Sequence, residues 1–255
     1  MIIDVLTSGI WQTTTTIISN RGACAVIDPA YFPRELYAIA ARVRELGKAA
    51  AVVFTHGHWD HVMGHAHFPG VPVWMNAQLV RAIERGDPRA AQYLEDARAF
   101  DSRWYVPRPA GHHWPKTLCG LSEGGALVVG GVTLRALQLS GHSREDIAIV
   151  VEDVLLTGDY LSPCEIPFVE DAKAYRQTLS RLVETVRGAR EIIPGHGPRM
   201  SSGEALVIAR ADMAYLDRLL DAGTRDRAMA VALPRASDVV GMIDHHRDNC
   251  VKLYP

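Results

Sequence analysis

Short apolar runs and turn residues alternate through the first thirty positions of the chain. Residues 2–6, 15–19 and 24–27 are β-branched or apolar, and Asn20-Arg21-Gly22 separates the second run from the third. That pattern predicts three strands, the last closed by Asp28-Pro29. A helical period follows: Leu36, Ile39, Ala40, Val43 and Leu46 share one face, with Pro33 in the first turn and Gly47 at the stop. Residues 50–54 predict a short strand that runs directly into His56, and 71–75 another strand. Helical spacing resumes over 77–83 and 90–99. Residues 100–118 hold Trp104, Tyr105, His112, His113 and Trp114 among prolines and read as an ordered loop. Strand patterns return at 126–129, 133–139, 147–151 and 154–156. A helix over 172–186 precedes a strand at 191–193, and from Ser201 the chain reads as helical, most clearly over 205–220. Two groups of strands separated by helices suit a layered α/β domain over residues 1–200, with residues 201–255 a helical extension packed on it.

Composition narrows the class. With 255 residues and 48% apolar content, the chain can fill a substantial core. Lys and Arg total 27 against 29 Asp and Glu, a formal charge of −2, which gives no electrostatic reason to expect nucleic acid or an anionic membrane as partner. No run approaches the length of a membrane span, and the first residues carry no pattern of a signal peptide. Cys24, Cys119, Cys164 and Cys250 lie far apart without a C-x-x-C pairing, the usage of reduced thiols in a cytoplasmic protein. Eleven histidines are the oddity.

Five of those histidines, with two aspartates, carry chemistry. In Thr55-His56-Gly57-His58-Trp59-Asp60-His61, an extended strand end points residues i and i+2 the same way, so His56 and His58 can meet one cation. Asp60 and His61 can then serve a second as the chain turns. Imidazole with carboxylate suits zinc, and also iron or manganese. Three further segments each place a ligand-type residue just past a predicted strand, beside glycine: Gly141-His142-Ser143, Thr157-Gly158-Asp159 and Pro194-Gly195-His196-Gly197.

In that order the set resembles the metallo-β-lactamase superfamily, over roughly residues 2–199. The resemblance implies a four-layer αββα sandwich, here with a C-terminal helical cap, and two divalent cations, zinc before iron or manganese. His56, His58 and His142 would bind the first cation and Asp60, His61 and His196 the second, with Asp159 bridging. Asp28 matches the superfamily's early aspartate and reads as an orienting neighbour of a ligand; a turn-forming Asp before Pro is the plainer alternative. The expected chemistry is attack of a metal-activated hydroxide on the carbonyl of a small molecule, with Asp60 and Asp159 at the reacting centre. Ser143 and Cys164 are then structural.

Within the superfamily, Asp159 argues against true β-lactamases and His58 against flavodiiron proteins. Trp59 is similar to the glyoxalase II first motif, yet the segment Tyr160 to Phe168 lacks that family's glutathione-holding lysine. A lactonase is the second hydrolytic reading, in which the Tyr160 hydroxyl donates to a developing alkoxide; a packed tyrosine is the competing view. An iron persulfide dioxygenase, using His56, His142 and Asp159, is the alternative reaction class. A non-catalytic metal-binding protein is the outside reading. Trp59, Trp104, Tyr105 and Trp114 are candidates for the walls of the substrate pocket. His245 and His246 read as solvated or capping residues of a last helix, in company with Arg247 and Asn249.

Overall fold

The strand and helix patterns of the sequence reappear in a computed structural model, which describes residues 1–235 and 241–255. Residues 236–240, inside the expected C-terminal extension, lie outside the described residues. The chain divides into two compact units, Met1–Gln138 and Leu139–Pro255.

In the first unit six strands lie in sequence order: β1 (Ile2–Thr7), β2 (Thr14–Asn20), β3 (Ala23–Ile27), β4 (Lys48–Val53), β5 (Val73–Asn76) and β6 (Leu118–Leu121). The first three pair antiparallel and the last four run parallel. Parallel neighbours need crossovers, and helices supply them. Helix α1 (Pro33–Leu46) joins β3 to β4, and its buried residues Leu36, Ile39, Ala40 and Val43 are the predicted face. Glu35 caps its first turn by accepting from the Phe32 N–H at 3.2 Å. A four-residue helix α2 (Trp59–Val62) and a 3-10 turn (Met63–His67) follow β4. Helices α3 (Ala77–Glu84) and α4 (Pro88–Trp104) come between β5 and β6. Ile17, Val26, Val52, Phe54 and Met75 are buried at the centre. Strands β7 (Ala126–Val129) and β8 (Val132–Leu139) form a hairpin. Gly130 and Gly131 both have positive φ there, the pair that a two-residue hairpin turn requires.

Two readings are corrected in this unit. Residues 100–104, expected in a loop, finish α4, and Leu118, the last residue of that expected loop, opens a strand that runs to Leu121. Helix α4 buries only Ala90, Ala97 and Asp101, too few apolar positions to carry the helical spacing of residues 90–99 on to its end. It stops at Tyr105, which adopts the left-handed conformation usually marked by glycine (φ 53).

In the second unit the order is β12-β11-β10-β9, with β9 (Asp146–Val151), β10 (Val154–Leu156), β11 (Glu191–Ile193) and β12 (Met200–Ser201). β9 and β10 are antiparallel; β10 and β11 are parallel and joined through α5 (Ala172–Gly188). Helix α6 (Ser202–Asp221) starts with a Ser201/Glu204 capping box and packs on α5, where Arg176 Nε meets Asp217 Oδ1 at 2.8 Å. Helices α7 (Arg225–Met229) and α8 (Met242–Leu253) complete the unit. Its core includes Ile147, Ile149, Leu155, Leu179, Ile192, Tyr215 and Leu219. Two sheets and eight α-helices among the described residues make a mixed α/β fold of the expected class.

Candidate metal centre

Each unit gathers its own group of ligand-type side chains at strand ends. In the first unit, β4 stops at Val53 and the chain passes through Thr55 into the histidine segment. His56, Asp60 and His61 are buried. His56 Nε2 faces His58 Nδ1 at 3.1 Å, so the i, i+2 pair converges as the extended spacing predicts. His61 Nε2 lies 3.3 Å from Asp60 Oδ2. The chain turns into α2 between the two pairs.

The remaining ring nitrogens are held from behind. Asp28, at the end of β3 with φ 48, accepts the Thr55 N–H at 2.8 Å and the Thr55 hydroxyl at 2.6 Å. Its Oδ2 also lies 3.1 Å from His61 Nδ1. Thr55 Oγ1, whose proton goes to Asp28, is 3.0 Å from His56 Nδ1. Both histidines therefore carry their proton on Nδ1 and turn the Nε2 lone pair the other way, the arrangement that a metal-ligating imidazole needs. Asp28 thus has the orienting place expected for it. Thr13 Oγ1 sits 3.2 Å from Asp60 Oδ2. Its turn, residues 8–13, is tied to α1 by Glu35, which accepts from the Ser8 hydroxyl at 2.6 Å and the Gly9 N–H at 2.8 Å. Neither Thr13 nor Glu35 carries a sequence signal, because the contacts span 47 and 27 residues.

In the second unit, His142 follows β8, Asp159 follows β10 and His196 follows β11. Asp159 Oδ2 lies 3.2 Å from His142 Nε2 and 3.3 Å from His196 Nε2. The Phe168 carbonyl accepts from His142 Nδ1 at 3.0 Å, which turns Nε2 toward Asp159. Burial pulls the His142 pKa down, but Asp159 and Asp146 beside it hold it above the ordinary imidazole value. Gly195 is required by close approach: a Cβ there would stand 2.4 Å from Asp159 Oδ1.

Tyr160, the candidate donor to an alkoxide, is only 1% exposed. Its hydroxyl donates to Asp146 Oδ2 at 2.8 Å and accepts the His142 N–H at 3.0 Å. The hydroxyl is committed to the His142 loop, so the packed reading replaces the catalytic one. Asp146, which also accepts from the Ser143 amide at 2.9 Å, went unnoticed in the sequence. Burial pushes the Cys164 thiol up to about 11, in keeping with a structural cysteine. All four cysteines are free thiols.

The aromatic candidates fall in different places. Trp59 anchors α2 in a ring cluster, 5.2 Å from Trp11, 4.9 Å from Tyr31 and 4.5 Å from Phe100 between centroids. Trp104 is 59% exposed and lines a cavity of about 580 Å³ with Trp11, Phe32 and Phe100. Tyr105 is 92% exposed. Trp114 is half-buried, its Nε1 donating to the Ala90 carbonyl at 3.1 Å. Tyr93, not singled out by the sequence, meets His58 edge to face with ring centroids 5.5 Å apart. His246 corrects the solvated reading: it is buried, with Nδ1 2.8 Å from the Tyr215 hydroxyl.

Four donor–donor separations within the two groups lie between 3.1 and 3.3 Å. Ligands about 2.0–2.1 Å from a tetrahedral cation stand about 3.3 Å apart, so the spacing and the imidazole–carboxylate chemistry fit a metal.

Residues 8–199 match the family model described as the metallo-beta-lactamase superfamily. Among solved structures, the chain is similar to a metallo-beta-lactamase family protein from Thermus thermophilus, at 20% identity and TM-score 0.68 over 99% of this chain and 91% of that one. ETHE1 from Myxococcus xanthus matches at 18% identity and TM-score 0.60, over 86% of this chain and 91% of that one. The protein TTHA1623, solved in a di-iron-bound form, matches at 24% identity and TM-score 0.57 over 80% and 96%.

Proposed function

The chain belongs to the metallo-β-lactamase superfamily, and from that premise we propose that it is a two-metal hydrolase in which water attacks the carbonyl of a small thioester, ester or lactone and the acyl C–S or C–O bond breaks. In this reading His56, His58 and His142 would hold one cation and Asp60, His61 and His196 the other, with Asp159 a ligand shared by both. The observation that carries it is the tautomer control: His56, His61 and His142 each have Nδ1 within hydrogen-bond reach of an acceptor that leaves Nε2 to a ligand.

Bound divalent cations supply a water of lowered pKa and polarise a carbonyl. The protein's own part is orientation. Asp28 keeps His61 in one tautomer, and the Phe168 carbonyl does so for His142. Thr13 fixes Asp60 Oδ2, which in this proposal takes the proton of the attacking water. Tyr160 serves through Asp146, holding the His142 loop. Zinc suits a donor set of imidazoles and carboxylates without thiolate, and iron or manganese suits it too. The di-iron form of TTHA1623 keeps iron in view for this chain. Trp59 supports a glyoxalase II-like acyl substrate by its resemblance to that family's motif. Within the same proposal the substrate is a small molecule, nucleic acid and membrane are not partners, and the protein works in the cytoplasm. No helix among the described residues is long and apolar enough to cross a membrane.

The test is metal analysis of the purified protein and of Asp159→Ala. Two cations per chain are expected, with content and turnover falling together in the variant. An Asp159→Ala protein that keeps two tight metals and normal turnover would overturn the assignment.

A further inference from the structure

The Phe168 carbonyl that orients His142 is itself gripped by a residue far along the chain. Asn249, on α8, is 0% exposed. Its Oδ1 accepts the Val169 N–H at 3.0 Å, and its Nδ2 donates to the Pro167 carbonyl at 2.7 Å. One side-chain amide therefore satisfies both peptide groups flanking Phe168, as a neighbouring strand would. The second Nδ2 proton points to the Tyr215 hydroxyl at 3.3 Å, and that hydroxyl is held in turn by His246 Nδ1 at 2.8 Å. Two acceptors on one side and one donor on the other fix which end of the amide is oxygen. Helix α8 also touches the Phe168 ring, through Lys252 Nζ 3.7 Å from its centroid and His245 at 5.3 Å.

We propose that Asn249 is a positioning residue for His142: it fixes the Phe168 carbonyl so that His142 keeps its proton on Nδ1 and presents Nε2 to a cation. The inference rests on the reading of His142 as a ligand. The chain of contacts is Asn249 amide, Pro167–Val169 backbone, Phe168 carbonyl, His142 Nδ1. Its hydrogen bonds measure 2.7–3.0 Å. Without the amide, the backbone either side of Phe168 loses two partners and the carbonyl can rotate off Nδ1. His142 then divides between tautomers, and only one of them can ligate through Nε2. The sequence offers no sign of this, since Asn249 stands 80 and 82 residues from the groups it holds.

The experiment uses ¹⁵N NMR of the histidine side chains in metal-free protein, with zinc affinity measured separately by competition against a chromophoric chelator. The proteins are the native chain, Asn249→Ala, Asn249→Asp and Lys252→Met, each checked for folding by circular dichroism. The native chain is expected to show a protonated His142 Nδ1 whose proton exchanges slowly, held by the Phe168 carbonyl whether or not Nε2 also carries a proton beside Asp159. Both Asn249 variants should show that proton exchanging faster and zinc binding weaker by about 10–100-fold, while Lys252→Met matches the native chain. A slowly exchanging Nδ1–H with native zinc affinity in Asn249→Ala would overturn the proposal. So would an equal loss in Lys252→Met, which would assign the effect to packing of α8 on Phe168. Should neither Asn249 variant fold, exchange in the native protein decides. Slow exchange of the Asn249 amide protons and of His142 Nδ1–H is expected, and rapid exchange of the latter overturns the proposal. Absence of zinc binding by the native chain would refute the metalloenzyme reading, whereas the metal-free measurement of the His142 Nδ1 proton judges Asn249 by itself.

Discussion

Replacing Asp28 with Asn is the sharpest perturbation of the first ligand group that leaves its shape intact. Asn tolerates the left-handed backbone of position 28 about as well as Asp does, so strain at φ 48 does not confound the result. The carboxylate accepts three hydrogen bonds, two from Thr55 and one from His61 Nδ1. A neutral amide keeps one acceptor oxygen and brings a donor in place of the other. With the oxygen on the Thr55 N–H, the new N–H₂ confronts the Thr55 hydroxyl and His61 Nδ1, both of which donate to the carboxylate. His61 relieves the clash by moving its proton to Nε2, the nitrogen 3.3 Å from Asp60 Oδ2, and so loses its ligand lone pair. Hydrogen bonds to a charged buried group are worth about 1.5–3 kcal/mol each, and the metal-free protein should lose about 2–3 kcal/mol of stability after rearrangement. Loss of an orienting partner costs about 10–100-fold in metal affinity, or about 1.4–2.7 kcal/mol. Urea unfolding of metal-free protein gives the first quantity and a chelator competition titration the second. Native stability together with native affinity in Asp28→Asn would refute the argument.

Other consequences follow from the same geometry. Burial depresses His65 to about 4, so the folded protein favours its neutral form while the unfolded chain takes up a proton near 6.5; stability from this group is complete above pH 6.5 and falls by roughly 3 kcal/mol as pH drops to about 4. Urea unfolding at pH 7 and 4.5 should show that loss in metal-free native protein and a shallower one in His65→Gln; a His65 resonance titrating near 6.5 would contradict it. In Gly195→Ala the new methyl meets Asp159 Oδ1 at 2.4 Å, and metal content should drop while circular dichroism stays native. Unchanged metal content would show that Asp159 has room to move. Chelation should lower the melting temperature of the native protein, since ligand binding to the folded state alone stabilises it by mass action; an unshifted melt with metal removed goes against the ligand set. Trp104→Ala should alter relative rates across acyl-chain lengths more than metal content, and a uniform small loss would return Trp104 to surface packing.

How far the sequence could be read depends on what each residue's role demands. A cation accepts few donor types, so His56, His58, Asp60, His61, His142, Asp159 and His196 stood out by type and by place after strands. The strands themselves came from local periodicity, and most lie within a residue or two of the predicted spans. Asp28 was legible through Asp28-Pro29 at a strand end, although its three hydrogen bonds were not. Thr13, Glu35, Asp146 and Phe168 were silent, and Asn249, read with the solvated or capping residues of the last helix, is buried. Each acts through a hydrogen bond that only the folded backbone closes, and a buried Thr or Asn has the same letter as a solvated one. Trp59 showed the converse. Its resemblance to a motif drew attention to a substrate wall, whereas its ring packs with Trp11, Tyr31 and Phe100 and secures α2. Helix α4 hid its length because its buried positions are few and it ends on Tyr105 instead of glycine.

The central claim is hydrolysis dependent on bound metal, and one measurement addresses it directly. Metal-loaded protein is assayed against a panel of thioesters and lactones, then again after chelation and after return of zinc, with oxygen uptake on a glutathione persulfide recorded beside it using iron-loaded protein. The account predicts hydrolysis of at least one acyl class, abolished by the chelator and restored by zinc, with no oxygen consumption. Stoichiometric oxygen uptake on the persulfide, with every acyl substrate left intact, would contradict it.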